Sequence, residues 1–127
     1  MHPERKFRAD NTDPDMPHTD AVVVLTTVAN ENEAVTLIRE LLDLRLVACG
    51  TLLPGARSFY RWEGKVADEH EVVLLLKTRS ASVGRLEKAF EELHPYKLPE
   101  LLVLPVTAGL ARYLDWISDE TSLGLSS

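Results

Sequence analysis

The sequence predicts an α+β domain in which two helices cover one face of a four-stranded antiparallel sheet, with a long β-hairpin at its centre. Two observations predict it. The first is Ala48 to Thr78, rich in β-branched and aromatic residues and broken by one short polar turn, Glu63-Gly64-Lys65; such a stretch favours a half-buried hairpin. The second is the alternation around it. Apolar runs stand near both ends of the chain, and each is separated from the hairpin by a segment of helical spacing. The order β-α-β-β-α-β, followed by a short C-terminal helix, is the split βαβ or ferredoxin-like arrangement.

Met1 to Thr19 is polar and charged and is punctuated by Pro3, Pro14 and Pro17. It holds too little apolar surface to offset the entropy of ordering, so residues 1–19 are expected to form a flexible tail. His2 and His18 lie in it at no ligand-like spacing and are read as solvated. The folded domain is placed at residues 20–122. Ala21 to Val28 is a nearly continuous apolar run, as in strands buried on both faces. Asn30 with Glu33 has the pattern of a capping box. Ala34, Leu37, Ile38, Leu41 and Leu42 then recur at helical spacing, giving a helix to about Leu44 with that stripe as core.

The first hairpin arm, Ala48 to Trp62, is long. Ordinary strands run about 5–6 residues, whereas this arm, fully extended, spans roughly 45–50 Å. Its tip must project past the domain's own core. Pro54 and Gly55 mark a bend, because proline has no N–H for a ladder and glycine admits a bulge. Ser80 is expected to cap a second helix, with Val83, Leu86, Phe90 and Leu93 on its buried face and Pro95 ending it at His94. Glu100 to Val106 reads as the fourth strand, which Pro105 confines to an edge or to its last residues. Leu110 to Glu120 is a short final helix, and residues 123–127 are expected to fray.

At 127 residues the chain is one domain, and 45% hydrophobic residues suffice for a core. The net charge of −6 argues against a general binder of phosphate backbones. The third strand carries no aromatic residue on which a base could stack, so no nucleic-acid partner is expected. The single cysteine, Cys49, implies no oxidising compartment and is expected to pack as a buried residue. No stretch approaches the ~20 apolar residues of a membrane span, and the N-terminus lacks a secretory h-region. A cytoplasmic protein with no membrane partner is expected.

One physical problem bears on assembly. Val22 to Leu25 and Val72 to Leu76 are apolar on both sides of their strands, yet two helices hide only one side. An open sheet face this apolar is a liability. A second copy of the chain, packing on that face and on the projecting Phe59, Tyr60 and Trp62, resolves it.

Chemistry-bearing residues are few. His94, before Pro95 and Tyr96 and a short way from Glu100, pairs an imidazole with a carboxylate, a set that suits zinc or copper; the bland alternative is a histidine favoured by a helix C-terminus. Arg57, Arg61, Glu63 and Lys77 lie in or beside the hairpin and could line a cleft at a subunit boundary. Tyr60, Trp62, Tyr96, Tyr113 and Trp116 could wall it, although large aromatics more often simply pack. No Gly-rich phosphate loop, Gly-x-Ser-x-Gly elbow or His-Glu-x-x-His pattern occurs, and the chain is read as non-enzymatic.

Pro54-Gly55-Ala56-Arg57-Ser58-Phe59-Tyr60-Arg61-Trp62-Glu63-Gly64-Lys65 resembles the signature of the CutA family, the divalent-cation tolerance proteins. Leu46-Val47-Ala48-Cys49, Leu76-Lys77-Thr78, His94-Pro95-Tyr96, Pro99-Glu100-Leu101, Leu104-Pro105-Val106 and Tyr113-Leu114-Asp115-Trp116 are similar too, in the family's order and spacing. The resemblance runs over about Ala21 to Glu120. It implies a ferredoxin-like homotrimer built by sheet contacts, in agreement with the burial argument. It also implies a role in tolerance of copper or zinc, with weak metal binding in clefts between subunits by His94 and carboxylates such as Glu63 or Glu100. Copper-binding relatives can carry a cysteine in the first strand and a paired histidine before the Pro-Tyr. Here Thr26 and Leu93 stand there, so His94 alone carries over as a metal residue. Two other families share the fold. A trimer similar to the PII signalling proteins would use Arg57, Arg61 and Lys77 on an anionic effector. An acylphosphatase-like hydrolase would need an anion-cradling loop after the first strand, where Val28-Ala29-Asn30-Glu31-Asn32 has neither glycine nor arginine.

Overall fold

The structure is a computed structural model that describes residues 19–122. The elements are β1 (Ala21–Val28), α1 (Glu31–Asp43), β2 (Cys49–Trp62), β3 (Lys65–Arg79), α2 (Val83–Leu93), β4 (Leu102–Pro105) and α3 (Ala111–Glu120). The sheet has the order β2-β3-β1-β4, and every pairing is antiparallel. That is the ferredoxin-like order. The expected tail, except for Thr19, and the fraying end at 123–127 lie outside the described residues. Thr19 itself is held. Its hydroxyl donates to the Val106 carbonyl and accepts from the Ala21 N–H at 3.3 Å, so Thr19, placed in the expected tail, is tied to the sheet.

β1 sits between β3 and β4, which explains its unbroken apolar run. Helix α1 begins as the sequence dictates. Asn30 Oδ1 accepts from the Glu33 N–H at 2.9 Å. The return bond differs, because Glu33 Oε1 accepts from the Ala29 N–H at 3.2 Å rather than from Asn30. Ala34, Leu37, Ile38 and Leu41 are buried, but Leu42, predicted as core, is 39% exposed; it stands one residue past the stripe, about 100° round the helix. The helix ends in a Schellman motif: the Leu46 N–H bonds Leu41 O and the Arg45 N–H bonds Leu42 O, both at 3.0 Å. Arg45 takes the left-handed conformation usually given to glycine, with φ 57°. Its guanidinium reaches the end of α3, donating to Glu120 O at 3.2 Å.

Helix α2 departs from expectation at its start. Ser80 does not cap it. The Ser80 N–H and hydroxyl both turn back to Asp20 O, at 2.8 and 3.2 Å. Residues Ser80–Ser82 therefore form a 3₁₀ turn, and the α-helix begins at Val83. Leu86 and Phe90 are buried, with Val83 and Leu93 partly so, as the spacing predicted. β4 is shorter than Glu100 to Val106, is an edge strand, and ends on Pro105, after which the Val106 N–H still donates to Ala21 O at 3.1 Å.

The two sides of the sheet differ. Val22, Val24, Val28, Val72, Leu74 and Leu76 face α1 and α2 and make the main core. Strand alternation sends Val23, Leu25, Val73 and Leu75 to the other side. There the cross-strand rows run Leu102–Leu25–Leu75–Thr51 and Leu104–Val23–Lys77–Cys49. Helix α3 covers only one end of this side, where Ile117 packs on Ala21 and Ala48. Leu53, Leu102 and Leu104 stay 47, 54 and 46% exposed. The open apolar face expected from the sequence is present.

β1 pairs with β3 only from Val72 to Arg79, so the outer halves of β2 and β3 continue as a two-stranded ribbon. It extends about 23 Å past the sheet at ~3.3 Å per residue. Glu63 and Gly64 close it with φ 51° and 81°, a type I′ pattern. At its base Leu53 pairs with Val73 but Ala56 with Glu71, so β2 holds one extra residue at Pro54-Gly55, and Gly55 has φ 86°. This is the predicted bulge. Because of it, Tyr60 and Trp62 lie on the same side of the ribbon as Glu71. Arg57, Phe59 and Arg61 lie on the other side.

Glycine content offers a paired test. A Cβ on Gly50 would stand 2.8 and 2.9 Å from the branched Ile38 carbons, whereas one on Gly84 meets nothing within 4 Å. Gly50→Ala is expected to lower stability by about 1–3 kcal/mol through overpacking. Gly84→Ala, inside α2, is expected to raise it by up to ~1 kcal/mol. Urea denaturation midpoints of the two variants check both signs.

Candidate functional site

Pro95 forces His94 out of the helix. His94 caps α2 in an extended conformation, φ −74° and ψ 134°, and its ring turns inward beneath β1. The residue is 7% exposed. Nε2 lies 3.1 Å from the Thr27 carbonyl and 3.0 Å from Thr26 Oγ1, while Nδ1 lies 3.0 Å from the Tyr96 N–H. The Tyr96 N–H can only donate and the Thr27 carbonyl can only accept. Nδ1 is therefore the bare nitrogen and Nε2 carries the proton, giving one neutral tautomer. Burial pushes the His94 pKa below its ordinary value, against the supporting pull of the Thr27 carbonyl and the Glu33 and Glu71 carboxylates. The rings of Phe90 and Tyr96 pack against the imidazole in tilted geometry, at centroid distances of 5.3 and 5.1 Å.

Tyr96 extends the network. Its hydroxyl donates to Glu71 Oε2 at 2.6 Å, a short charge-assisted bond. Burial, then this bond to Glu71, push the Tyr96 pKa well above its usual range. Glu71 is 7% exposed. Glu100 is close enough to feel it: burial, then the Glu71 charge, raise the Glu100 pKa, with a Thr27 hydrogen bond opposing. Tyr60, on the same side of the ribbon, is raised by desolvation and then by Glu69 and Glu71. The cluster thus joins a carboxylate pair and a phenol at one end of the open sheet face to a neutral imidazole held on the helix-covered side of β1. Its field is negative and attracts cations.

Of the residues the sequence singled out, the structure gathers His94, Tyr96 and Glu100, with Tyr60 beside them. It leaves the others apart within one chain. Trp62 and Glu63 sit at the far end of the ribbon, Glu63 within the turn. Arg57 is engaged: Nε and Nη2 make a bidentate pair with Asp68, both at 2.8 Å, and the guanidinium lies 5.1 Å from the Phe59 ring centroid. Lys77 stands beside Cys49, Nζ to Sγ 3.7 Å. Arg57 pairs with His70, about 23 Å along β3 from Lys77, so Arg57, Arg61 and Lys77 form no cluster in one copy. Cys49, expected to be buried, is only half-buried, because it lies on the open face. Tyr113 and Trp116 stack on each other on α3, centroids 5.4 Å apart, away from the cluster. Sequence reasoning missed Glu71 and Thr27, and met Thr26 only as the residue standing where copper-binding relatives carry a cysteine. The available signal was an acid, Glu71, at the boundary of an otherwise apolar strand. A groove of about 210 Å³ between α1 and α2, lined by Asn32, Glu33, Thr36, Leu37, Leu93 and Pro95, holds none of the predicted residues.

A family model described as "CutA1 divalent ion tolerance protein" matches residues 22–120. The chain belongs to the CutA1 family. The divalent-cation tolerance protein CutA of Pectobacterium atrosepticum is 47% identical over 104 residues, covering 82% of this chain and 94% of that one. Among solved structures, CutA from Xylella fastidiosa superposes with a TM-score of 0.79 at 39% identity, covering 82% of this chain and all of that one. The Archaeoglobus fulgidus protein, described as a periplasmic divalent cation tolerance protein, superposes with a TM-score of 0.77 at 29% identity, over 80% of this chain and 99% of that one. The CutA1 match takes in every residue of the cluster, from Thr26 to Glu100. Among the described residues no helix is long and apolar enough to cross a membrane.

Proposed function

We propose that this CutA1-family chain works as a homotrimer in divalent-ion tolerance, binding copper or zinc weakly at clefts between copies and catalysing no reaction. The observation that carries the reading is the open apolar face, which ends at the Glu71–Glu100–Tyr96 cluster. Covering that face with another copy buries exposed leucines and gives the cluster a second wall. Among the described residues, no group of three or more His, Cys, Asp or Glu is placed to hold a metal within one chain. A full ligand set therefore draws on two copies. Glu100 is the ligand closest to hand, whereas His94 can coordinate only if its Nδ1 releases the Tyr96 N–H. That cost fits weak binding. The lone thiol of Cys49 suits a reducing compartment, and we place the protein's work in the cytoplasm.

Two measurements test this. Light scattering should return about three times the 14.2 kDa chain mass. Calorimetric titration with Cu²⁺ and Zn²⁺ should give heats that fall in Glu100→Gln and in His94→Gln. A lone 14.2 kDa particle, or heats unchanged in both variants, would overturn the proposal.

A further inference from the structure

The open face is electrically polar, and this has a consequence for the assembled protein. Along β3 its residues are Glu71, Val73, Leu75 and Lys77. Glu71, joined by Glu100, makes the acidic end; Val73, Leu75, Leu25 and Leu102 make the apolar middle; Lys77 stands at the other end. Glu71 and Lys77 are about 20 Å apart along the strand, so they cannot meet within one copy. Among the described residues, the ion pairs are Arg45–Glu120 and Arg57–Asp68. Among the described residues, neither Glu71 nor Glu100 has a lysine or arginine within ion-pair distance, and Lys77 has no carboxylate.

Burying this face against another copy strips water from both ends. A charge buried without a partner is strongly unfavourable. Head-to-tail packing, with the basic end of one copy on the acidic end of the next, pairs the charges and covers the apolar middle. We propose that Lys77 of one copy enters the Glu71–Glu100 cluster of its neighbour, so that each site is completed across the interface. The inference rests on the homotrimer reading above and adds the residue that the partner contributes. It also explains weak metal binding: a divalent cation must displace a resident ammonium to reach the carboxylates. Metal and interface are then coupled, and by linkage each weakens the other to the same degree.

Charge reversal tests the pairing in the full chain. Lys77→Glu should weaken self-association at least tenfold by sedimentation equilibrium, and adding Glu100→Lys in the same chain should restore most of it. Rescue by Glu69→Lys but not by Glu100→Lys would place the contact elsewhere on β3 and overturn the assignment. Lys77→Met, which keeps the stem and removes the charge, should raise Zn²⁺ affinity several-fold by calorimetry. An unchanged affinity, or self-association as strong in Lys77→Glu as in the wild type, would overturn the proposal while leaving the homotrimer intact. A monomeric wild-type protein would instead remove the assembly reading on which the proposal stands.

Discussion

Replacing His94 by alanine will lower folding stability by about 3–5 kcal/mol, in the presence or absence of metal. The ring holds three groups at once: the Thr27 carbonyl, the Thr26 hydroxyl and the Tyr96 N–H. Deleting it leaves buried polar atoms unpaired and opens a cavity against Phe90 and Tyr96. Urea denaturation measures the loss, and a change under 1 kcal/mol would show that the network is not structural. His94→Gln, which can still donate and accept, is the milder substitution and the better one for metal titrations.

The same residue sets a pH dependence with a definite sign. Its folded pKa is depressed by burial, so near pH 6.5, its ordinary value, the unfolded chain takes up a proton before the folded one does. The stabilisation is fully present above that pH and declines as the pH falls below it. It levels off once folded His94 also protonates. Glu100, whose folded pKa is raised, acts in the opposite sense nearer its ordinary value of 4.5. The difference between wild type and His94→Gln, followed from pH 8 to pH 5, isolates the histidine part. A wild-type curve parallel to that of the variant would remove it.

The second large effect is in the core. Leu74 is fully buried and faces both helices, and Leu74→Ala is expected to cost about 3–5 kcal/mol. Its neighbour Leu75 points to the open side and is only half-buried in one copy. Leu75→Ala should barely change the unfolding of a separated chain but should weaken self-association. Denaturation at low concentration and the mass in light scattering separate the two. Equal effects of both substitutions on both readouts would mean that the open face is not an interface.

Why some features were legible in the sequence and others were not follows from how local their causes are. The bounds of β1, the Asn30 cap, the bulge at Pro54-Gly55, the turn at Glu63-Gly64 and the edge position of Pro105 all follow from neighbouring residues. Each was read correctly from a short stretch. The failures have distant causes. Ser80 is a good helix cap in isolation, but the Asp20 carbonyl, just before β1, claims its hydroxyl. Glu71 looks like a solvated acid until the loop after α2 brings Tyr96 to it. His94 is legible as a candidate, but its bonds to Thr26 and Thr27 are not, since β1 reads as plain apolar strand. The grouping of Arg57 and Arg61 with Lys77 failed for a simpler reason: residues far apart along an extended strand stay far apart.

The extra residue at Pro54-Gly55 gives β2 two phases. Odd-numbered positions look out from the open side before it, and even-numbered positions after it. Removing Gly55 would not merely shorten a flexible spot. It would invert the phase of everything distal, turning Tyr60 and Trp62 away from the acidic end and sending Arg57 and Phe59 towards it. Length variation is therefore tolerable within the turn at Glu63-Gly64 but not at the bulge, where one deleted codon rewrites which side of the ribbon is chemical.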